Sequence, residues 1–185
     1  MFVTRHTYKP GKRENWIWRW RRRTAGTRGL PDFYILGAQK CGTASLAEAL
    51  GRNRGVIRPA LKEANYYNRH HDRGELWYRT IFPPRKALAH FGAQTFDASP
   101  NYLLYPQCSE RMRALTPDAR LIVSLRDPVK RAVSEYFHNL RRGYENRDTE
   151  TALADRPDFD AVVADPRARN TYLARGAYAR QIARY

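Results

Sequence analysis

The run Phe33-Tyr34-Ile35-Leu36-Gly37-Ala38-Gln39-Lys40-Cys41-Gly42-Thr43-Ala44-Ser45-Leu46 leaves this chain few folds to choose from. Its apolar start, Phe33 to Leu36, is bounded by Pro31 and Gly37 and reads as a buried strand, and Thr43 to Leu50 suits a helix. Strand, glycine loop and helix in that order build a phosphate site, because the loop brings backbone N–H groups to the positive end of the helix. Gly37 and Gly42 permit the tight turn, and Lys40, Thr43 and Ser45 add donors. The arrangement calls for an anionic ligand.

The two glycines keep the spacing of the nucleotide loop G-x-x-x-x-G-K-[ST], but the lysine sits inside the loop instead of after it. An ordinary strand-to-helix turn with a surface lysine would share this pattern, so other stretches must decide. Arg120-Leu121-Ile122-Val123-Ser124-Leu125-Arg126-Asp127-Pro128 reads as a buried strand that ends in charge and a proline. A helix follows, with Val129, Ala132, Val133, Tyr136, Phe137 and Leu140 on one core-facing stripe and Ser134 and His138 away from it. Thr95 to Leu103 reads as a strand closed by a proline turn, and Val56 to Pro59 as a short extended segment. A short helix is expected around Phe159 to Ala164 within an otherwise polar 143–170.

At 185 residues with 42% hydrophobic content, four Trp and twelve Tyr, the chain can bury a sizeable core and is not globally disordered. Its net charge of +16 and pI near 10.4 call for an acidic partner: nucleic acid, an anionic membrane, or a polyanionic cofactor and substrate. Residues 1–30 hold nine Lys and Arg against one Glu, so half of the surplus lies there. That stretch, including Trp16-Ile17-Trp18-Arg19-Trp20-Arg21-Arg22-Arg23, is set apart as a basic extension from a domain over 31–185. Interleaved indoles and arginines suit a membrane interface or nucleic acid, and equally a packing extension. Cys41 and Cys108 are read as free thiols, no metal-ligand spacing is present, and no run reaches the ~20 apolar residues of a membrane span. The default expectation is a cytoplasmic protein.

Six segments resemble the sulfotransferases that use 3′-phosphoadenosine 5′-phosphosulfate (PAPS). The loop itself matches their G-x-x-K-x-G-T-x-x-L pattern, and Lys62-Glu63-Ala64-Asn65-Tyr66-Tyr67 is similar to a K-E-x-x-[YF]-F segment, with Tyr67 where Phe is usual. Asp97-Ala98-Ser99-Pro100-Asn101-Tyr102-Leu103 resembles [ED]-x-[ST]-P-x-Y-[FL], and Arg126 through His138 resembles R-[DN]-P-x-x-R-A-x-S-x-Y-x-H. The end, Tyr172 to Ile182, is similar to Y-L-x-R-G-x-Y-x-x-Q-[LI], and Trp77 to Pro83 to a packing stretch of bacterial members. Relatives continue past this point, so the chain reads as a truncated catalytic domain.

The resemblance implies an α/β, P-loop-type three-layer fold with a central parallel sheet and helices on both faces. It implies sulfuryl transfer from PAPS to an acceptor hydroxyl or amine, first of all on a carbohydrate. Glu63 would be the catalytic base, with His138 in reserve, and Lys40 would offset charge on the leaving phosphate oxygen. Lys40, Cys41, Gly42, Thr43, Ala44 and Ser45 would hold the 5′ end of the donor, and Arg126 and Ser134 its 3′-phosphate. Lys62, Asp97, Ser99 and Tyr102 would contact the acceptor, and no metal or nucleic acid would be needed. Two other readings stay open: a P-loop small-molecule kinase with Asp127 on Mg²⁺, and a non-enzymatic nucleic-acid binder driven by charge.

Overall fold

The computed structural model describes residues 16–165 and 170–185. Three strands, β1 (Phe33–Gly37), β2 (Phe96–Ala98) and β3 (Arg120–Val123), form an all-parallel sheet in the order β2-β1-β3. Around it, in chain order, lie α1 (Trp16–Arg23), α2 (Thr43–Leu50), α3 (Tyr66–Arg69), α4 (Gly74–Arg79), α5 (Arg85–Phe91), α6 (Gln107–Leu115), α7 (Pro128–Arg141), α8 (Thr149–Ala154), α9 (Phe159–Ala164) and α10 (Tyr178–Ile182). This is the α/β, P-loop-type arrangement that the strand, loop and helix order calls for.

The central strand β1 is buried along its whole length because the pleat sends alternate side chains to two different cores. Phe33 and Ile35 join Phe96 and Ala98 on one face, where Leu46, Ala47 and Leu50 of α2 close over them. Tyr34 and Leu36 point to the other face, into a larger core made with Tyr66 and Tyr67 of α3, Tyr78 of α4, Cys108 and Met112 of α6, and Phe159 and Val162 of α9. The expected packing stretch belongs here, with Tyr78, Ile81 and Phe82 fully enclosed. The extended segment around Val56 contributes a single parallel bridge, to Gln94.

Two expectations are corrected. Arg120–Val123 is a strand, but among the described residues it pairs on one side only, with β1, and Leu121 is 42% exposed instead of buried. On α7 the interior face follows the apolar stripe only in part: Ala132 and Tyr136 of it are buried, together with Arg131 and Glu135, whereas Val129 is 67% and Phe137 50% exposed. The reason is a buried ion pair. Arg131 and Glu135, one helical turn apart, meet at 2.5 Å, Arg175 approaches Glu135 at 3.4 Å, and Arg131 also donates to the Tyr172 carbonyl. Removing a guanidinium and a carboxylate from water demands such partners, and they lie toward the 170–176 segment. Asp127 starts the helix by accepting from the Lys130 N–H at 2.8 Å, with Pro128 preset in the first turn.

Candidate functional site

The loop after β1 is held from below. The Ala38 N–H donates to the Ser124 carbonyl and the Ser124 N–H to the Gly37 carbonyl, both at 2.8 Å, and the Ser124 hydroxyl donates to the Cys41 carbonyl at 2.7 Å. Gly37 has no room for a side chain: a Cβ there would lie 2.8 Å from the Pro100 carbonyl oxygen. Gly42, in contrast, has open space above it and a left-handed φ of 80° that suits glycine. It caps α2 without any side-chain hydrogen bond, so the first-turn N–H groups, Thr43 to Ser45, face the loop with no intrahelical partner.

Lys40 stands inside this loop in left-handed backbone, φ 69°. A non-glycine residue held there stores strain that the surrounding bonds must offset, a state concentrated at functional positions. Its ammonium is held below the usual lysine range, chiefly by burial, then by Arg141, Arg142 and Arg126, while Glu135 opposes the shift. His138 is held below the usual imidazole value by burial first, then by Lys40, Arg142 and Arg141. Ser134, His138 and Arg141 recur at i, i+4 and i+7, so they share the α7 face turned to Lys40. The structure thus brings Lys40, Arg126 and His138 into one electropositive corner at the carboxyl end of β1 and β3, the position where open parallel sheets take ligands, and Ser134 stands one turn before His138 on α7.

Glu63 lies at the carboxyl end of the neighbouring strand. It too is left-handed, φ 55°, as is Asn65 at 47°. Its carboxylate is 3.9 Å from the Lys62 ammonium, and both side chains are well exposed, at 42% and 66%. The segment is fixed through its backbone: the Asn65 N–H donates to Ser99 Oγ at 3.0 Å and the Tyr66 N–H to the Tyr102 hydroxyl at 2.8 Å.

Those two hydroxyls pass the load to a single buried carboxylate. Ser99 donates to Asp97 at 2.7 Å, Tyr102 at 2.7 Å and Tyr78 at 2.8 Å. Asp97, Ser99 and Tyr102 are therefore not presented in the cleft as expected of acceptor contacts; they lie beneath the Glu63 segment, fully enclosed. Burial holds the Asp97 carboxyl above its ordinary value, and the three hydroxyl donors pull the other way. Of the expected acceptor contacts, Lys62 alone reaches solvent.

Sequence reasoning assigned no role to two residues that complete the site. Ser124 ties the loop to β3, and Tyr178 of α10 donates to the Arg126 carbonyl at 3.0 Å while its hydroxyl lies 3.6 Å from Cys41 Sγ. Burial, with the Cys41 contact adding, pushes the Tyr178 phenol up to about 12. Tyr178 stands in the quoted terminal motif, so the signal was present but carried no sign of its long-range partner. Cys41 itself is buried, and it can serve a ligand through its backbone alone. Asp127, the kinase reading's metal candidate, spends its carboxylate on the α7 cap, and no cluster of three or more His, Cys, Asp or Glu able to hold a metal occurs among the described residues.

Comparison with known proteins fits this geometry. No family model matches the chain. A crystal structure of a sulfotransferase from Alicyclobacillus acidocaldarius superposes with a TM-score of 0.65 at 31% identity, over 85% of this chain and 68% of that one. The chain belongs to the sulfotransferase family. Other family members include human heparan sulfate glucosamine 3-O-sulfotransferase 3B1, 35% identical over 118 residues, which are 64% of this chain and 29% of that protein. Human bifunctional heparan sulfate N-deacetylase/N-sulfotransferase 3 is 30% identical over 170 residues, 84% of this chain and 18% of that protein. The chain thus spans less than a third of the length of either curated sulfotransferase.

Proposed function

We propose that this chain carries the donor-binding loop and the general base of a sulfotransferase that transfers a sulfuryl group from PAPS to a hydroxyl or amine, on a carbohydrate acceptor. The observation that carries the reading is the loop: a strained Lys40 before a helix start with no side-chain cap, inside a corner of arginines. Names of relatives add the carbohydrate, since the human proteins are named for heparan sulfate. PAPS, when bound, supplies the sulfuryl group and a bisphosphate leaving group.

The residues present fit such a donor. Thr43, Ala44 and Ser45 offer backbone N–H groups to the 5′ end, Lys40 adds a charge there, and Arg126 with Ser134 offers a guanidinium and a hydroxyl for a 3′-phosphate. Donors fixed in advance around a leaving oxygen stabilise developing charge without reorganising at the moment of reaction. Glu63, exposed on a backbone locked by Ser99 and Tyr102, is poised to accept the acceptor's proton. His138, held below the usual imidazole value by burial first and then by its cationic neighbours, is the second candidate proton acceptor of the corner.

Calorimetry tests the donor half. Adenosine 3′,5′-bisphosphate should bind at least tenfold more tightly than ADP, because a charge-assisted contact is worth about 1.5–3 kcal/mol. Arg126→Ala should erase that preference, and Lys40→Ala should weaken every 5′-phosphorylated ligand alike. A wild type that prefers ATP with Mg²⁺ would defeat the proposal. For the base, Glu63→Gln should lower turnover by roughly 10² while bisphosphate affinity holds.

A further inference from the structure

The short helix α1 has a sidedness the proposed reaction does not use. Ile17, Trp18 and Arg21 turn toward the body, and Arg21 is clamped there, donating to the carbonyls of Thr80 at 2.5 Å, Ile81 at 2.9 Å and Phe82 at 3.0 Å. Arg28, wholly buried, adds a bond to the Phe82 carbonyl at 2.8 Å, and Arg79 donates to the Arg28 carbonyl at 2.7 Å. A helix fixed so firmly has a defined outer face. Trp16, Arg19, Trp20 and Arg23 recur at i, i+3, i+4 and i+7 on it, with Arg22 beside them, all exposed. Trp16 is 75% and Trp20 50% exposed, and no Asp or Glu occurs between Glu14 and Asp32.

We propose that this outer face of α1 docks on an anionic membrane surface, with Trp16 and Trp20 at the edge of the acyl region and Arg19, Arg22 and Arg23 among the headgroup phosphates. An indole is apolar over most of its area and carries one N–H, the combination that favours the interface. Among the described residues α1 is already held by its opposite face, yet Trp16 and much of Trp20 protrude into water. Cationic and apolar residues on one strip supply the two contributions, electrostatic and hydrophobic, that reversible surface binding combines. Nucleic acid is the poorer fit: its single strands are tracked by grooves with open stacking faces, whereas this strip is convex and Trp20 already has the Arg28 guanidinium 4.7 Å from its ring centre.

Vesicle sedimentation with the 185-residue chain tests the proposal. Vesicles of phosphatidylcholine and phosphatidylserine should bind at least about tenfold more protein than phosphatidylcholine alone, with the excess falling as salt rises. Trp16→Ala with Trp20→Ala should cost about tenfold. Arg19→Gln, Arg22→Gln and Arg23→Gln together should cost about a hundredfold at low salt, from roughly fivefold per charge. Lys40→Ala with Arg126→Ala should leave vesicle binding unchanged. Equal binding to both vesicle types overturns the proposal, as does loss of binding in the Lys40 and Arg126 variant. So does an oligonucleotide that outcompetes vesicles through the same α1 residues. Should a surface variant melt early, brominated lipid decides with the wild type: quenched indole emission supports docking, and unquenched emission refutes it.

Discussion

The two sides of the sheet are built differently. Beside β2, polar groups are sunk into the core and satisfied there: Asp97 accepts from Ser99, Tyr102 and Tyr78, and the Tyr67 hydroxyl meets that of Tyr34 on β1 at 2.9 Å. Beside β3, apolar groups stand in water: Leu121, Leu125, Val129, Phe137 and Leu140 are all exposed. The contrast falls across the proposed site. Glu63 hangs from the enclosed side, whereas Arg126 and Ser134 belong to the open one. Positioning of the proposed base is thus settled by buried hydrogen bonds, and positioning of the proposed 3′-phosphate residues by one ion pair and the Tyr178 strap.

That ion pair should give the largest effect. Arg131→Met leaves Glu135 buried with only the longer Arg175 contact, and should destabilise the fold by about 3–5 kcal/mol in denaturant titrations. Arg131→Met with Glu135→Leu should recover part of the loss, since the carboxylate is no longer stranded, while Arg175 loses its carboxylate partner and keeps the neutral acceptors Thr171 and Asn101. A double variant as unstable as the single one would mean that α7 is held by something other than this pair.

On the enclosed side, Tyr102→Phe strands the Tyr66 N–H and removes one donor to Asp97, which should cost about 1–3 kcal/mol. If the hydroxyl positions Glu63, amide exchange at Asn65 and Tyr66 should quicken while bisphosphate affinity stays at the wild-type value. Equal loss of bisphosphate binding would show that the two halves are not separate.

Buried carboxylates on the two sides should respond to acid with opposite signs. Asp97 is held above its ordinary value by burial, so the folded state binds its proton more tightly than the unfolded one. Its ionisation costs stability as pH rises from 3.8 through the raised value, and acid relieves that cost. Glu145, hydrogen-bonded to Arg147, is held down at about 2 from 4.5, so its contribution is present above 4.5 and lost as pH falls toward 2. Melting curves from neutral pH down to about 2 should show Glu145→Gln less sensitive to acid below 4.5 than wild type, and Asp97→Asn without the gain on acidification toward 3.8. The same sign for both variants would refute the assignment.

What the sequence disclosed follows from the range of the interactions involved. The strand, loop and helix of residues 33–50 and the Asp127-Pro128 start of α7 are local, and both read directly from residue order. The α9 bounds, Phe159–Ala164, did so too. Asp97, Ser99 and Tyr102 could be picked out as a unit but were expected to contact the acceptor, because only the fold places Asn65 and Tyr66 over the Ser99 and Tyr102 hydroxyls. The apolar period of α7 is real, yet period alone does not say which face is covered: a charged pair at i and i+4, Arg131 and Glu135, outranked it. Nor could Tyr178 be joined to Cys41, 137 residues away in the chain.

The smallest effect on stability should come from the α7 stripe itself, and it bears most directly on the contrast between the two sides. Val129→Lys with Phe137→Glu changes side chains that are 67% and 50% exposed, so the melting transition should move by no more than about 0.5 kcal/mol. Self-association should fall, because Leu125, Val129, Phe137 and Leu140 leave apolar surface uncovered next to the unpaired edge of β3. Light scattering over a concentration series reads this: the wild type should gain apparent mass with concentration, and the variant should gain less. A variant that melts several degrees early instead would mean the stripe is packed in solution, and the β3 side would then be as enclosed as the β2 side. The proposed 3′-phosphate residues would in that case rest on a covered α7, and the tenfold preference for the bisphosphate should be insensitive to both substitutions.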